Sequence, residues 1–127
     1  PTITPASGFS SDGGVRVTIS VATDGARVYY TTNGAAPTTS STVYTALFDI
    51  YATGTTTVKA LAVKNGMYDS VIAESTLTVR ACAQGKYRSG VTCLACPANS
   101  NTPATGSSDV SQCSCNAGYF GVNGGVC

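Results

Sequence analysis

Apolar and polar residues alternate with period two through most of residues 1 to 81, the spacing of half-buried β-strands. Val15, Val17, Ile19 and Val21 alternate with Arg16, Thr18 and Ser20, giving one core face and one solvent face. Asp24-Gly25 supplies a turn, and Ala26 to Thr32 (ARVYYTT) is the next strand. Asn33-Gly34 is a strong hairpin dipeptide, although the stretch Ala35 to Ser41 predicts a longer loop. Val43 to Tyr51 carries one or two short strands around Thr45-Ala46. Thr56 to Lys64 (TTVKALAVK) is a further strand closed by Asn65-Gly66, and Val71, Ala73, Ser75, Leu77 and Val79 share one face of a final strand. Thr2-Ile3-Thr4, ahead of Pro5, predicts a short strand at a sheet edge. Six or seven short strands without a helical period describe an all-β fold, an antiparallel β-sandwich.

The cysteines set the second division. Residues 1–81 contain none, whereas residues 82–127 contain Cys82, Cys93, Cys96, Cys113, Cys115 and Cys127. A segment this short cannot bury enough apolar surface on its own, so crosslinks must hold it. An even cysteine count in a small Gly-rich and Ser/Thr-rich segment reads as a disulfide framework in an oxidising compartment, hence an extracellular or cell-surface protein. Two domains are expected, 1–81 and 82–127. The join Thr78-Val79-Arg80-Ala81-Cys82 lacks the Gly, Ser or Pro content of a flexible linker. Thr and Ser together number 33, which suits strand faces and turns.

Charge narrows the functions. Charged residues are 10% of the chain and the net charge is +1, so no basic face exists to hold a phosphate backbone, and nucleic acid is excluded as a partner. The chain has no His, which removes the commonest general base and metal ligand along with the Ser-His-Asp and Cys-His arrangements. No apolar run approaches the roughly 18 residues of a membrane span, and no signal peptide opens the chain. No enzyme activity, metal or cofactor is expected. The carboxylates Asp12, Asp24, Asp49, Asp69, Asp109 and Glu74 lie singly along the chain and read as solvated turn residues rather than a calcium site.

Val28-Tyr29-Tyr30-Thr31-Thr32-Asn33-Gly34-Ala35-Ala36-Pro37-Thr38 resembles the "YYT-x-DG-x-x-P-T" signature of chitobiase/β-hexosaminidase C-terminal-like domains. The resemblance continues through Val43-Tyr44-Thr45, Thr57-Val58-Lys59-Ala60-Leu61-Ala62-Val63 and Ser70, and covers most of residues 2–79. It implies an antiparallel Ig/fibronectin-like β-sandwich acting as an accessory module in an extracellular protein, with no activity of its own. Asn33 stands where that family has Asp. Alternation sends Tyr29 and Tyr30 to opposite faces, one into the core and one to solvent, and these two with Tyr44 and Tyr51 read mainly as structural aromatics. The alternative is a carbohydrate contact made by Tyr29 or Tyr30 with Asn33.

The second segment contains an internal repeat. Cys82-x-x-Gly85-x-Tyr87 followed by Cys93 recurs as Cys115-x-x-Gly118-Tyr119-Phe120 followed by Cys127. Cys93-Leu94-Ala95-Cys96-Pro97 closes the first copy, and a matching continuation is expected beyond residue 127. The run Cys82 to Cys127 resembles the ephrin-receptor-like cysteine-rich repeat, a relative of EGF and TNF-receptor modules. Repeat symmetry points to Cys82–Cys93, Cys96–Cys113 and Cys115–Cys127, whereas EGF-type pairing gives Cys82–Cys96 and Cys93–Cys113. Both keep Cys115–Cys127. Zinc or redox use of Cys93-x-x-Cys96 lacks a second ligand pair and a βαβ setting.

No Asn-x-Ser/Thr sequon exists, which excludes N-glycans on this stretch. Candidates for O-glycosylation are Thr38, Thr39, Ser40, Ser41 and Thr42, then Thr53, Thr55, Thr56 and Thr57, then Ser107 and Ser108. The chain as a whole reads as a non-enzymatic structural or interaction segment of an extracellular protein, either an adhesin or receptor ectodomain or the protomer of a filament. Its expected partners are copies of itself or other extracellular proteins, with glycans as a further class. The alternative is a carbohydrate-binding accessory module.

Overall fold

The computed structural model describes residues 1–127. Eight strands precede Cys82: β1 (Thr2–Thr4), β2 (Ser10–Asp12), β3 (Val15–Ser20), β4 (Arg27–Thr31), β5 (Thr42–Val43), β6 (Phe48–Ile50), β7 (Gly54–Val63) and β8 (Ala73–Arg80). They form a three-stranded sheet in the order β1-β3-β6 and a five-stranded sheet in the order β2-β8-β7-β4-β5, a β-sandwich. β1 runs antiparallel to β3 with Ile3 opposite Ile19, and β4 runs antiparallel to β7 with Val28 opposite Ala62 and Tyr30 opposite Ala60.

Alternation explains the core. Val15, Val17 and Ile19 of β3 are buried and Arg16, Thr18 and Ser20 are exposed. Val58, Ala60 and Ala62 of β7 and Ser75, Leu77 and Val79 of β8 are buried at every second position. Ser75 is tolerated there because its hydroxyl donates to the Pro5 carbonyl at 2.7 Å, which leaves no buried donor unmatched. The same bond pins the corner where the chain leaves β1 for the other sheet. There Gly8 N–H donates to Thr76 and Thr78 N–H donates to Phe9. Tyr30 of β4 stacks on Phe48 of β6 at 4.6 Å between ring centres, and Tyr44 meets both rings edge-on, so one aromatic cluster joins the two sheets.

Several expectations change. Neither adjacent tyrosine is solvent-facing: Tyr29 is only 9% exposed and Tyr30 is half-buried. Tyr29 pairs with Leu61, itself buried, on the face of the sheet opposite Tyr30, so apolar surface is buried on both faces at this point. Val71 is not part of the last strand. β8 begins at Ala73, and Val71 is exposed in the turn region before it. Three of the six carboxylates are cross-strand partners rather than free turn residues. Arg16 donates to both oxygens of Asp49, Lys59 pairs with Glu74 at 3.3 Å, and Arg80 pairs with Asp12 at 2.6 Å, each between neighbouring strands.

After Cys82 come the hairpin β9 (Lys86–Ser89) and β10 (Thr92–Ala95), the short pair β11 (Ser100–Asn101) and β12 (Ser114–Cys115), and a single 3₁₀ turn at Val110–Gln112. Disulfides join Cys82 to Cys93, Cys96 to Cys113 and Cys115 to Cys127, and no cysteine is free. Cys82, Cys113, Thr102 and Ser107 are the buried residues of this segment, so sulfur replaces an aliphatic core. Thr102 accepts the Gly85 N–H at 2.7 Å.

The chain divides into two compact units. The first comprises Pro1–Ser10, Arg16–Asp49 and Gly54–Thr78; the second comprises Ser11–Val15, Ile50–Thr53 and Val79–Cys127. No helix is long and apolar enough to cross a membrane.

Candidate functional site

In the first unit, the loop between β4 and β5 is fixed by its own polar side chains. Asn33 Oδ1 accepts the Ala35 N–H at 3.0 Å, and Gly34, at φ +78°, donates its N–H to Thr57. A left-handed φ favours glycine, which is why Asn-Gly marks this turn. Thr31 donates its hydroxyl hydrogen to the Ala35 carbonyl at 2.6 Å. Further along, Ser41 Oγ accepts the Thr38 N–H at 2.9 Å while Ser41 N–H donates to the Thr38 carbonyl. Thr38 Oγ1 accepts from Ser40 N–H. These side-chain-to-backbone bonds hold the loop without a sheet ladder.

The loop encloses a shallow hollow of about 300 Å³ lined by Tyr30, Thr31, Thr32, Asn33, Ser40, Ser41 and Thr42. Tyr30 and Asn33 therefore share one concave surface. Tyr29 does not: its ring is buried, and a stacking platform needs an accessible ring face, so Tyr29 is a packing residue and not the sugar contact expected of it. Tyr30 already has Phe48 on one face of its ring.

The hydroxyl candidates separate by exposure. Thr38, Thr39, Ser40, Thr42, Thr53, Thr55 and Ser108 are exposed. Ser41, Thr56 and Thr57 are half-buried, with the Ser41 hydroxyl already bonded within the loop. Ser107 is only 6% exposed, so, contrary to expectation, it is an interior residue and not a modification site, since an attached sugar needs an open hydroxyl.

In the second unit, Asp109 caps the 3₁₀ turn. Its carboxylate accepts the Ser111 N–H at 2.8 Å, and Gln112 Oε1 accepts the Asp109 N–H. The bond from the Ser111 backbone, with a smaller contribution from the Ser111 side chain, holds the Asp109 carboxyl below the usual carboxylate range. No three Cys, Asp or Glu side chains converge in a way that would hold a metal ion. Sequence reading passed over one contact here: the Arg88 guanidinium lies 4.2 Å from the centre of the Tyr51 ring. No motif marks either residue; only the fold brings positions 51 and 88 together.

Residues 5–75 match the profile of the chitobiase/beta-hexosaminidase C-terminal domain, more than half of the chain. The chain belongs to that family. The matched span of this chitobiase/β-hexosaminidase C-terminal domain runs from Pro5 at the sandwich corner to Ser75, whose hydroxyl bonds back to Pro5. It contains the whole β4–β5 loop and stops short of every cysteine. No curated protein and no solved structure matches the chain.

Proposed function

We propose that this chain is a non-enzymatic structural and interaction segment of an extracellular protein. One observation carries the reading: all six cysteines lie in residues 82–127 and all six are bridged, beside a sandwich that has none. Such crosslinks persist in oxidising compartments, and a cysteine-free sandwich with its own apolar core needs none. The family supports an accessory role, since its name describes a C-terminal domain of glycan-processing enzymes. On this reading residues 1–81 and 82–127 are successive modules, the second an ephrin-receptor-like repeat with consecutive bridges. The parent is a surface adhesin or receptor, or a filament protomer that meets copies of itself. Exposed Thr38, Thr39, Ser40, Thr42 and Thr55 carry its O-glycans. The test is alkylation of natively produced protein without reduction, read by intact mass. No added alkyl group is the expected result; two or more would overturn the oxidising compartment.

A second reading, a carbohydrate-binding accessory module, is favoured by the hollow that joins Tyr30 to Asn33 within the matched span. Its test is retention of the wild-type chain on immobilised polysaccharide: retention is expected, and its absence would overturn this reading.

A further inference from the structure

The single surplus positive charge of the chain lies in the second unit. The first unit holds four basic and four acidic side chains; the second holds Arg80, Lys86 and Arg88 against Asp12 and Asp109. Both acids are engaged away from Arg88, Asp12 with Arg80 at 2.6 Å and Asp109 with the Ser111 N–H at 2.8 Å. Arg88 makes no salt bridge and is half-buried. A partly desolvated guanidinium whose charge meets only an aromatic face retains a fork of N–H donors suited to a planar anion.

The group is also held in place. Arg88 sits in β9 opposite Cys93, which is bridged to buried Cys82, and its own N–H donates to the Ser107 carbonyl at 2.8 Å. Tyr51 is backed by Gly14, where a Cβ would approach the ring to 2.9 Å, yet the tyrosine remains 40% exposed. Beside this pair opens a hollow of about 190 Å³ whose wall includes Tyr51, Thr53, Arg88, Ser107 and Ser108, all within the second unit. It combines one cation, lying over a partly exposed aromatic ring, and three hydroxyl side chains.

We propose that this hollow binds a uronic acid residue of a glycan. Arg88 takes the sugar carboxylate, Thr53 and Ser108 exchange hydrogen bonds with ring hydroxyls, and Tyr51 holds the guanidinium in place from beneath. Arg88 is the one cation in the wall of the hollow, which matches the single charge of a carboxylate, and the hydroxyl side chains of the wall match the hydroxyls of a sugar ring. Arg88, Ser107 and Ser108 lie beyond residue 75, outside the family match, and Tyr51 and Thr53 lie within it, so the site is not a property of the matched domain alone and does not rest on the role proposed above.

The experiment is a ¹⁵N NMR titration of the full chain with methyl glucuronide, with methyl glucoside as the neutral ring and with acetate as the bare carboxylate. The glucuronide is expected to shift the amides of Tyr51, Thr53, Arg88, Ser107 and Ser108 and to bind at least tenfold more tightly than either control, with affinity falling as salt is raised. Arg88→Gln should abolish binding, and Arg88→Lys should restore part of it. Equal binding of the glucoside would overturn the role of the carboxylate, and equal binding of acetate would overturn the sugar. Unchanged binding by Arg88→Gln, or shifts elsewhere on the chain, would overturn the site. The three wild-type titrations decide the matter even if Arg88→Gln does not fold.

Discussion

Reducing the three disulfides should unfold residues 82–127 and leave the sandwich standing. The bridges span sequence separations of 11, 17 and 12, and none of the three loops overlaps another, so their effects on the unfolded chain add. In the chain-entropy picture each such loop contributes about 3 kcal/mol, or about 9 kcal/mol together. Net stability runs at roughly 0.05–0.15 kcal/mol per residue, which gives a segment of this length only about 2–7 kcal/mol. The crosslinks therefore exceed the whole margin. What remains after reduction is a segment whose buried residues are two cysteines, Thr102 and Ser107. The sandwich keeps Val17, Val58 and Leu77, each wholly buried, and has no bridge to lose. The assay is a ¹H–¹⁵N correlation spectrum before and after full reduction under non-denaturing conditions. Amides of Lys86–Ser89 and Thr92–Ala95 should collapse to unfolded positions while those of β3, β7 and β8 keep their dispersion. Persistent dispersion in β9 and β10 after complete reduction would refute the reasoning, as would collapse of the sandwich with them.

Three further outcomes follow from single contacts. Tyr30→Ala removes the ring that stacks on Phe48 and should lower stability by about 2 kcal/mol in chemical denaturation; unchanged stability would return Tyr30 to a purely binding role. Gly13→Ala should cost about 1–3 kcal/mol, since φ is +91° and the new Cβ would lie 3.1 Å from Cys93 Sγ; a stability gain would contradict this. The Asp109 carboxyl is held below its ordinary range in the fold, so its cap is fully formed above the ordinary carboxylate pKa and is lost as pH falls through the lowered value. The Ser111 amide shift should accordingly titrate with a midpoint below that of an unperturbed aspartate, and a midpoint at or above it would contradict the capping bond.

The fold was legible where local pattern and tertiary environment agree. In β3 every apolar residue from Val15 to Ile19 is buried and every polar one is exposed, because one face meets the core and the other meets water. The turns at Asp24-Gly25, Asn33-Gly34 and Asn65-Gly66 were legible for a similar local reason, glycine at positive φ. Pattern failed where burial comes from both faces or from none. Tyr29 and Tyr30 are consecutive yet neither is exposed, and β2 reads Ser-Ser-Asp, with no apolar residue to mark it. Val71 continues the alternation of β8 by composition alone and lies outside the strand. The ion pairs Arg16–Asp49 and Arg80–Asp12 join residues 33 and 68 positions apart, and strand order rather than spacing decides them. Of the β4–β5 hollow, the Asn33 turn was legible from its dipeptide, whereas the wall added by Ser40, Ser41 and Thr42 required the fold.

The proposal that this chain is an interaction segment engaging copies of itself is tested most directly by sedimentation velocity on native, glycosylated protein over a hundredfold range of concentration. Charge is scarce at 10% of residues, so repulsion between copies is weak, and β1 and β5 lie at the edges of their sheets with backbone groups open to a further strand. The predicted result is a boundary that moves beyond monomer as concentration rises. A single monomer boundary across the whole range would contradict the account of the chain as a self-assembling segment.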